Sequence, residues 1–348
     1  MRGFLSIFLV ASVTVILTFA LGAAFHMRVP VSMSVPEQQE VEALSEPTHP
    51  LQIAALRAGI YPGSNITVER TLEKGSNYSR QVVSYQSDGL KIYALLTVPN
   101  GIAPEGGWPV IIFNHGYIPP KQYKTTERYV AYVDGFAKAG YIVLKPDYRG
   151  HGDSEGEPEG AYYSPAYTVD VLNAVASMKK FPGANPEKLG MWGHSMGGHI
   201  TLRVMVVSRD VKAGVIWGGV VGSYQDMMER WHRRTPWQPS ERESNLARRP
   251  TRAELIETFG DFESNPDFWK SISPIDHVVD ISGPVALHHG LADESVPWEF
   301  SQILRDALTA AGKTVQYYTY TGADHNLSGA AFAPAMRRSV EFFDKYVK

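Results

Sequence analysis

Six short runs of the chain, residues 109–113, 141–145, 189–192, 213–217, 284–288 and 315–320, are apolar almost without interruption. A strand that is apolar on both faces must be covered on both, which is the condition of an interior strand in a parallel sheet flanked by helices. The segments between them supply that cover: residues 129–139, 166–180, 198–207, 297–311 and 332–346 carry apolar side chains at helical spacing. Strand and helix alternating with right-handed crossovers predict a doubly wound, mostly parallel sheet with helices on both faces. Ahead of this pattern, residues 66–72, 80–85 and 90–98 read as antiparallel strands that open the sheet. Asp88-Gly89 between the last two is a hairpin signal.

The third apolar run breaks into Gly193-His194-Ser195-Met196-Gly197-Gly198. A Gly-x-Ser-x-Gly sequence between a strand and a helix is a nucleophile elbow, where a strained turn lifts the serine hydroxyl above the sheet edge. Glycines flank it because strand and helix approach too closely for a Cβ. In a doubly wound sheet, ligands sit beyond the carboxyl ends of the strands, where this turn places Ser195.

A serine hydroxyl needs a base, and the base needs a group to fix its tautomer. In this architecture the order is Ser, then Asp or Glu, then His. After the strand at 284–288, the loop Gly290-Leu291-Ala292-Asp293-Glu294-Ser295 offers Asp293 as the acid, with Glu294 the alternative beside it. Of eleven histidines, only His325 follows, in a loop closing the last strand. For the oxyanion, the backbone N–H of Met196 opens the helix after the elbow. The N–H of Tyr117, in Asn114-His115-Gly116-Tyr117, is the expected second donor. His194, His288 and His289 stand at strand ends but form no motif of defined metal-ligand geometry, so neither a metal nor an organic cofactor is expected.

Together, Asn114-His115-Gly116-Tyr117, Asp147-Tyr148-Arg149-Gly150-His151-Gly152, the elbow, the Asp293 loop and Gly322-Ala323-Asp324-His325 resemble an α/β-hydrolase. More narrowly they are similar to the catalytic domain of the prolyl oligopeptidase and acylaminoacyl-peptidase family over about residues 80–348. The resemblance implies an α/β-hydrolase fold, a Ser195, Asp293, His325 triad, and serine peptidase or carboxylesterase chemistry through an acyl-enzyme. Family members proven as peptidases carry an N-terminal β-propeller, for which this chain has no room, and Tyr117 stands where many relatives have a second glycine. A serine peptidase on a small ester or short peptide is the first expectation and a carboxylesterase the second. A non-catalytic binding protein on the same fold is a third.

The connection 222–283 is far longer than a strand-to-helix link needs, and it is rich in aromatic residues. It reads as a helical lid insertion in which Trp231 and Trp237 are candidates for substrate contact; a passive decoration is the alternative. An arginine run from Arg230 to Arg252 lies within it and reads as either an anion-attracting or a merely solvated face. Net charge is −3, which gives no basic field for nucleic acid.

Residues 4–25, behind Arg2, carry no charge and as a helix would span about 33 Å, enough for a bilayer core. Residues 1–28 therefore read as a signal-anchor or a cleaved signal peptide that carries the catalytic domain across a membrane. Residues 29–62 read as a tether and docking segment, and 63–348 as the hydrolase domain. The absence of cysteine excludes disulfides and thiolate chemistry. An acceptor pattern for glycosylation at Asn326-Leu327-Ser328 directly follows the expected base, where a glycan would obstruct the site.

Overall fold

In the computed structural model one sheet runs through the described residues, 49–231 and 251–348. Its strands are β1 (Thr67–Thr71), β2 (Tyr78–Ser87), β3 (Leu90–Pro99), β4 (Trp108–Asn114), β5 (Ile142–Pro146), β6 (Ala184–His194), β7 (Ala213–Trp217), β8 (Val285–Gly290) and β9 (Val315–Tyr320). Their order across the sheet is β1-β2-β3-β5-β4-β6-β7-β8-β9. The first three pair antiparallel, β3 pairs antiparallel with β5, and every later pairing is parallel. The two-residue hairpin at Asp88-Gly89 forms with φ of 50° and 78°, as a turn matched to strand twist requires.

Helices cover both faces. On one side lie α1 (Ile53–Ala58), α3 (Ala166–Met178), α4 (Met196–Val207) and α8 (Glu299–Ala310), whose Val171, Ile200 and Leu304 join a core with Val110, Ile112 and Leu287. On the other, α2 (Val130–Lys138) and α9 (Phe332–Tyr346) close on Phe113, Trp192 and Trp217 through Phe136, Phe342 and Phe343. Alternate residues of one strand thus feed opposite cores, which explains the unbroken apolar runs. Each such side chain contributes roughly 1.5–3 kcal/mol on burial.

The compact unit that holds the described residues is Glu46–Lys348. Part of the segment read as a tether and docking segment packs on this unit: Leu51, Ile53 and Leu56 are buried, and Arg57 donates to the Val206 carbonyl at the end of α4 at 2.8 Å. Residues 1–28, on which the expected membrane segment falls, lie outside the described residues, as do Trp237 and residues 233–249 of the arginine run. Among the described residues, no helix is long and apolar enough to cross a membrane.

The described part of the 222–283 insertion is helical, with α5 (Tyr224–Glu229), α6 (Arg252–Phe259), α7 (Pro266–Ile272) and a 3-10 segment at Pro274–Asp280. Its aromatic residues have an internal use. Tyr224, Leu255, Phe268, Trp269 and Ile272 bury one another together with Leu51, and Phe259 stacks on Phe268 with ring centroids 4.0 Å apart.

Candidate active site

The register of the sheet brings the site loops to one edge. Asn114 pairs with Gly193, His194 with Trp217, and Trp217 with His288, so the residues that follow β4, β6, β7 and β8 leave the sheet side by side. Ser195 has φ 55° and ψ −119°, a conformation costly for any side chain and characteristic of functional turns. Three backbone hydrogen bonds hold it there: Ser195 N–H to Trp217 O at 3.0 Å, Val220 N–H to Ser195 O at 3.1 Å, and Gly198 N–H to Ser195 O at 3.0 Å. A Cβ on Gly197 would collide with the Asn114 carbonyl, and one on Gly193 with the Gly197 backbone and Thr201. The flanking glycines are thus required by contact between strand and helix.

The structure brings Asp293 and His325 together: Nδ1 of His325 lies 2.7 Å from Oδ2 of Asp293, with the acid side chain wholly buried and the imidazole 16% exposed. Nδ1–H therefore donates to the carboxylate, and Nε2 keeps its lone pair. Neither Nε2 nor the Ser195 hydroxyl has a hydrogen-bond partner among the described residues. Glu294 is exposed at the surface, so Asp293 is the acid that meets the histidine.

Asp293 is held by more than its histidine. Its Oδ1 accepts the N–H groups of Ser295 at 2.8 Å and Val296 at 2.9 Å, and its Oδ2 also accepts Nε2–H of His289 at 3.1 Å. His289 is fixed in turn by Ser301, whose hydroxyl lies 2.7 Å from Nδ1. Burial opposes the charge, but the hydrogen bonds from His289, His325 and Val296 outweigh it and hold the carboxyl well below the usual range. His289, a strand-end histidine with no assigned task in the sequence, is thus a second clamp on the acid.

A further chain of hydrogen bonds ties the elbow to both of its neighbours. Gly116 N–H donates to the Tyr129 hydroxyl at 2.9 Å, and that hydroxyl lies 2.7 Å from Nδ1 of His194. Nε2 of His194 lies 3.0 Å from the carbonyl of His325, which can only accept. The tautomer follows: Nε2–H donates to His325 O, and Tyr129 donates to Nδ1. Burial, with His325 beside it, pushes the His194 imidazole down to about 3, so it serves as a neutral strut. The His194 and His325 ring centroids are 4.5 Å apart, which seats His325 against the residue preceding Ser195. Because Gly116 N–H is committed to Tyr129, the donors expected for an oxyanion remain Tyr117 and Met196. Met196 is the first residue of α4, and a Cβ on Gly116 would approach the Ser195 Cβ to 3.2 Å, so the loop lies against Ser195.

Beneath the loop, Asp147 accepts from Tyr123 Oη at 2.8 Å and from Thr125, anchoring the segment between Tyr117 and Tyr129 to the end of β5. Burial raises the Asp147 carboxyl to about 6. Between this segment and the His325 loop lies a pocket of about 470 Å³, bordered by Tyr117, Gln122, Arg128, Tyr132, Asn326 and Ser328. Trp231, expected at the substrate, donates its indole N–H to the Ser295 carbonyl at 2.8 Å and meets Tyr162 and Phe300 edge-on. It braces the Asp293 loop and does not line this pocket.

Comparison with known proteins places these features in company. The model of the prolyl oligopeptidase family matches residues 128–348. The chain is 25% identical over 308 residues to "Uncharacterized peptidase YuxL" of Bacillus subtilis, covering 85% of this chain and 43% of that relative. An acylaminoacyl peptidase of Pyrococcus horikoshii superposes with a TM-score of 0.59 at 21% identity, over 79% of this chain and 42% of the other. An acetyl xylan esterase from Paenibacillus sp. R4 superposes with a TM-score of 0.61 at 16% identity, over 84% and 92%. The two structures share the fold, and the chain spans less than half of YuxL and of the acylaminoacyl peptidase.

Proposed function

The chain belongs to the prolyl oligopeptidase family, and from that premise we propose that it is a serine hydrolase, a peptidase first, cleaving a small ester or short peptide through an acyl-enzyme. The observation that carries this reading is the 2.7 Å contact between His325 Nδ1 and Asp293, which leaves Nε2 without a partner among the described residues, together with the strained turn at Ser195.

In the proposed reaction the Ser195 hydroxyl attacks the acyl carbonyl as His325 Nε2 takes its proton, and buried Asp293 stabilises the imidazolium. The oxyanion of the tetrahedral intermediate accepts from Met196 N–H and Tyr117 N–H, each of such donors being worth about 100- to 1000-fold in turnover. Collapse expels the leaving group, which takes the proton from His325. Water then repeats the cycle and frees the serine. Carboxylesterase action is the second reading, because it uses the same atoms and because the esterase fold is matched over nearly its whole length. Ser195→Ala is expected to abolish labelling by a fluorophosphonate probe, and persistent labelling would overturn the nucleophile. Hydrolysis of aminoacyl nitroanilides beside short-chain nitrophenyl esters separates the two readings, since esterase turnover with no anilide cleavage removes the peptidase.

The uncharged run at residues 4–25 supports export of the catalytic domain, anchored to or released from a membrane. Recovery of the full chain only in a cytosolic fraction would count against it. The insertion 222–283 acts in this reading as a lid in which Trp237 shapes substrate range, and Trp237→Ala is expected to change relative rates among acyl chains.

A further inference from the structure

Among the described residues, the pocket between the oxyanion loop and the His325 loop has one cation in its wall and no acidic side chain lining it. Arg128 has no ion-pair or hydrogen-bond partner in the described structure, whereas the adjacent Glu127 is paired with Lys124 at 2.8 Å. Arg128 and Tyr129 are consecutive non-glycine residues with φ of 57° and 52°, a sparsely populated backbone that presents the two side chains together at the pocket. The other polar groups in the wall are neutral: Tyr117, Gln122, Tyr132, Asn326 and Ser328. Asp324, which precedes His325 in the same loop, is engaged by Ser328 N–H at 2.7 Å.

The position of the pocket assigns it to one half of the substrate. His325 returns its proton to the departing atom, so the leaving group lies on the His325 side of Ser195, and Asn326 and Ser328 belong to the loop that carries His325. Tyr132 fixes that loop by donating to the Asn326 carbonyl at 2.8 Å. We propose that this pocket receives the leaving group and that Arg128 selects leaving groups bearing a carboxylate. The free C-terminal carboxylate of a short peptide and the acid of a hydroxy-acid ester share this chemistry. An arginine with five donors and no competing partner is suited to a carboxylate, and the hydrogen-bonding wall suits a polar rather than an alkyl group. The proposal rests on the serine hydrolase reading above.

The test compares 3-acetoxybenzoate with 3-acetoxybenzamide on the full chain, each rate divided by its spontaneous hydrolysis. The two esters transfer the same acetyl group and differ in the charge of the leaving phenol. The acid is expected to be preferred in kcat/KM by about five- to tenfold, the size of a charge-assisted contact in a solvent-open pocket. That preference is expected to collapse in Arg128→Gln, to persist in Arg128→Lys, and to shrink in 0.5 M salt, about the screening expected of an exposed pair. A wild-type ratio near one, a ratio unmoved by Arg128→Gln, or no turnover of either ester overturns the proposal. Fluorophosphonate labelling of Ser195 in all three proteins separates the failures. Labelling with an indifferent ratio removes the carboxylate preference alone, and wild-type protein that fails to label removes the hydrolase reading beneath it.

Discussion

At the scale of single residues, the site is a set of side chains whose tautomers are dictated by what they touch. His325 is held with Nε2 open because Asp293 takes Nδ1–H, so Asp293→Asn is expected to lower kcat on the order of 10⁴-fold while the fold persists, measured by steady-state kinetics beside circular dichroism. Tyr129 bridges Gly116 N–H and His194 Nδ1, two groups with no other partner among the described residues. Removing its hydroxyl leaves both wanting, at about 1–3 kcal/mol. Tyr129→Phe is therefore expected to cut kcat by about tenfold or more with little change in KM, and an unchanged kcat would reduce the bridge to packing. The placement of Ser195, Asp293 and His325 just past strand ends is legible in the sequence because the alternation of strands and helices fixes where each strand stops. Tyr129 and His289 are not, because their partners are decided by how loops fold back: His194 lies far along the chain from Tyr129, and the Asp293 loop turns back over β8.

At the scale of elements, the decisive contact is between β4 and α4. Gly197 faces the Asn114 carbonyl with no room for a methyl group, and Asn114 is tied to α4 by its Nδ2 bond to Thr201 at 2.9 Å. Gly197→Ala is expected to push α4 off the strand, costing about 1–3 kcal/mol and most of the activity. A thermal melt together with probe labelling measures both, and an unshifted melt with full labelling would contradict the contact. The bounds of β7 and β9 match the apolar runs at 213–217 and 315–320, since both runs end at polar or glycine-rich turns. Two other elements differ from expectation for physical reasons. β6 begins at Ala184, well before the apolar run at 189, because its polar first residues lie at the rim of the sheet, where burial does not select for apolar side chains. α4 begins at Met196, ahead of Gly198, because the elbow passes from strand to helix with Ser195 alone between them.

At the scale of the whole molecule, the two faces of the sheet bury several imidazoles in their neutral form. Burial, seconded by Arg338, pushes His288 down to about 3, as burial and His325 do for His194. Unfolded, each titrates near 6.5, so above that pH both states are neutral and the contribution to stability is complete. As pH falls from 6.5 toward 3 the unfolded chain takes up protons that the folded chain refuses, and stability drops by up to about 1.4 kcal/mol per pH unit for each such group. The depressed carboxyl of Asp293 adds a loss at still lower pH, as acidification carries it through its folded value. The urea midpoint is expected to fall steadily between pH 6.5 and 4, and less steeply in His288→Gln. A pH-independent midpoint across that window would show that these imidazoles are charged in the native state.

The sheet order also sets a schedule. Ser195 and the Tyr117 loop come from strands made early, whereas Asp293 and His325 come only after the insertion and after β8 and β9, with α9 still to close over Trp217 through the Ser339 hydroxyl at 3.0 Å. At about 5–20 residues per second, about ten seconds of synthesis separate Ser195 from His325. A growing chain thus exposes Ser195 before its proposed partners exist, and in the proposed reaction hydrolysis can begin only when the polypeptide is almost finished.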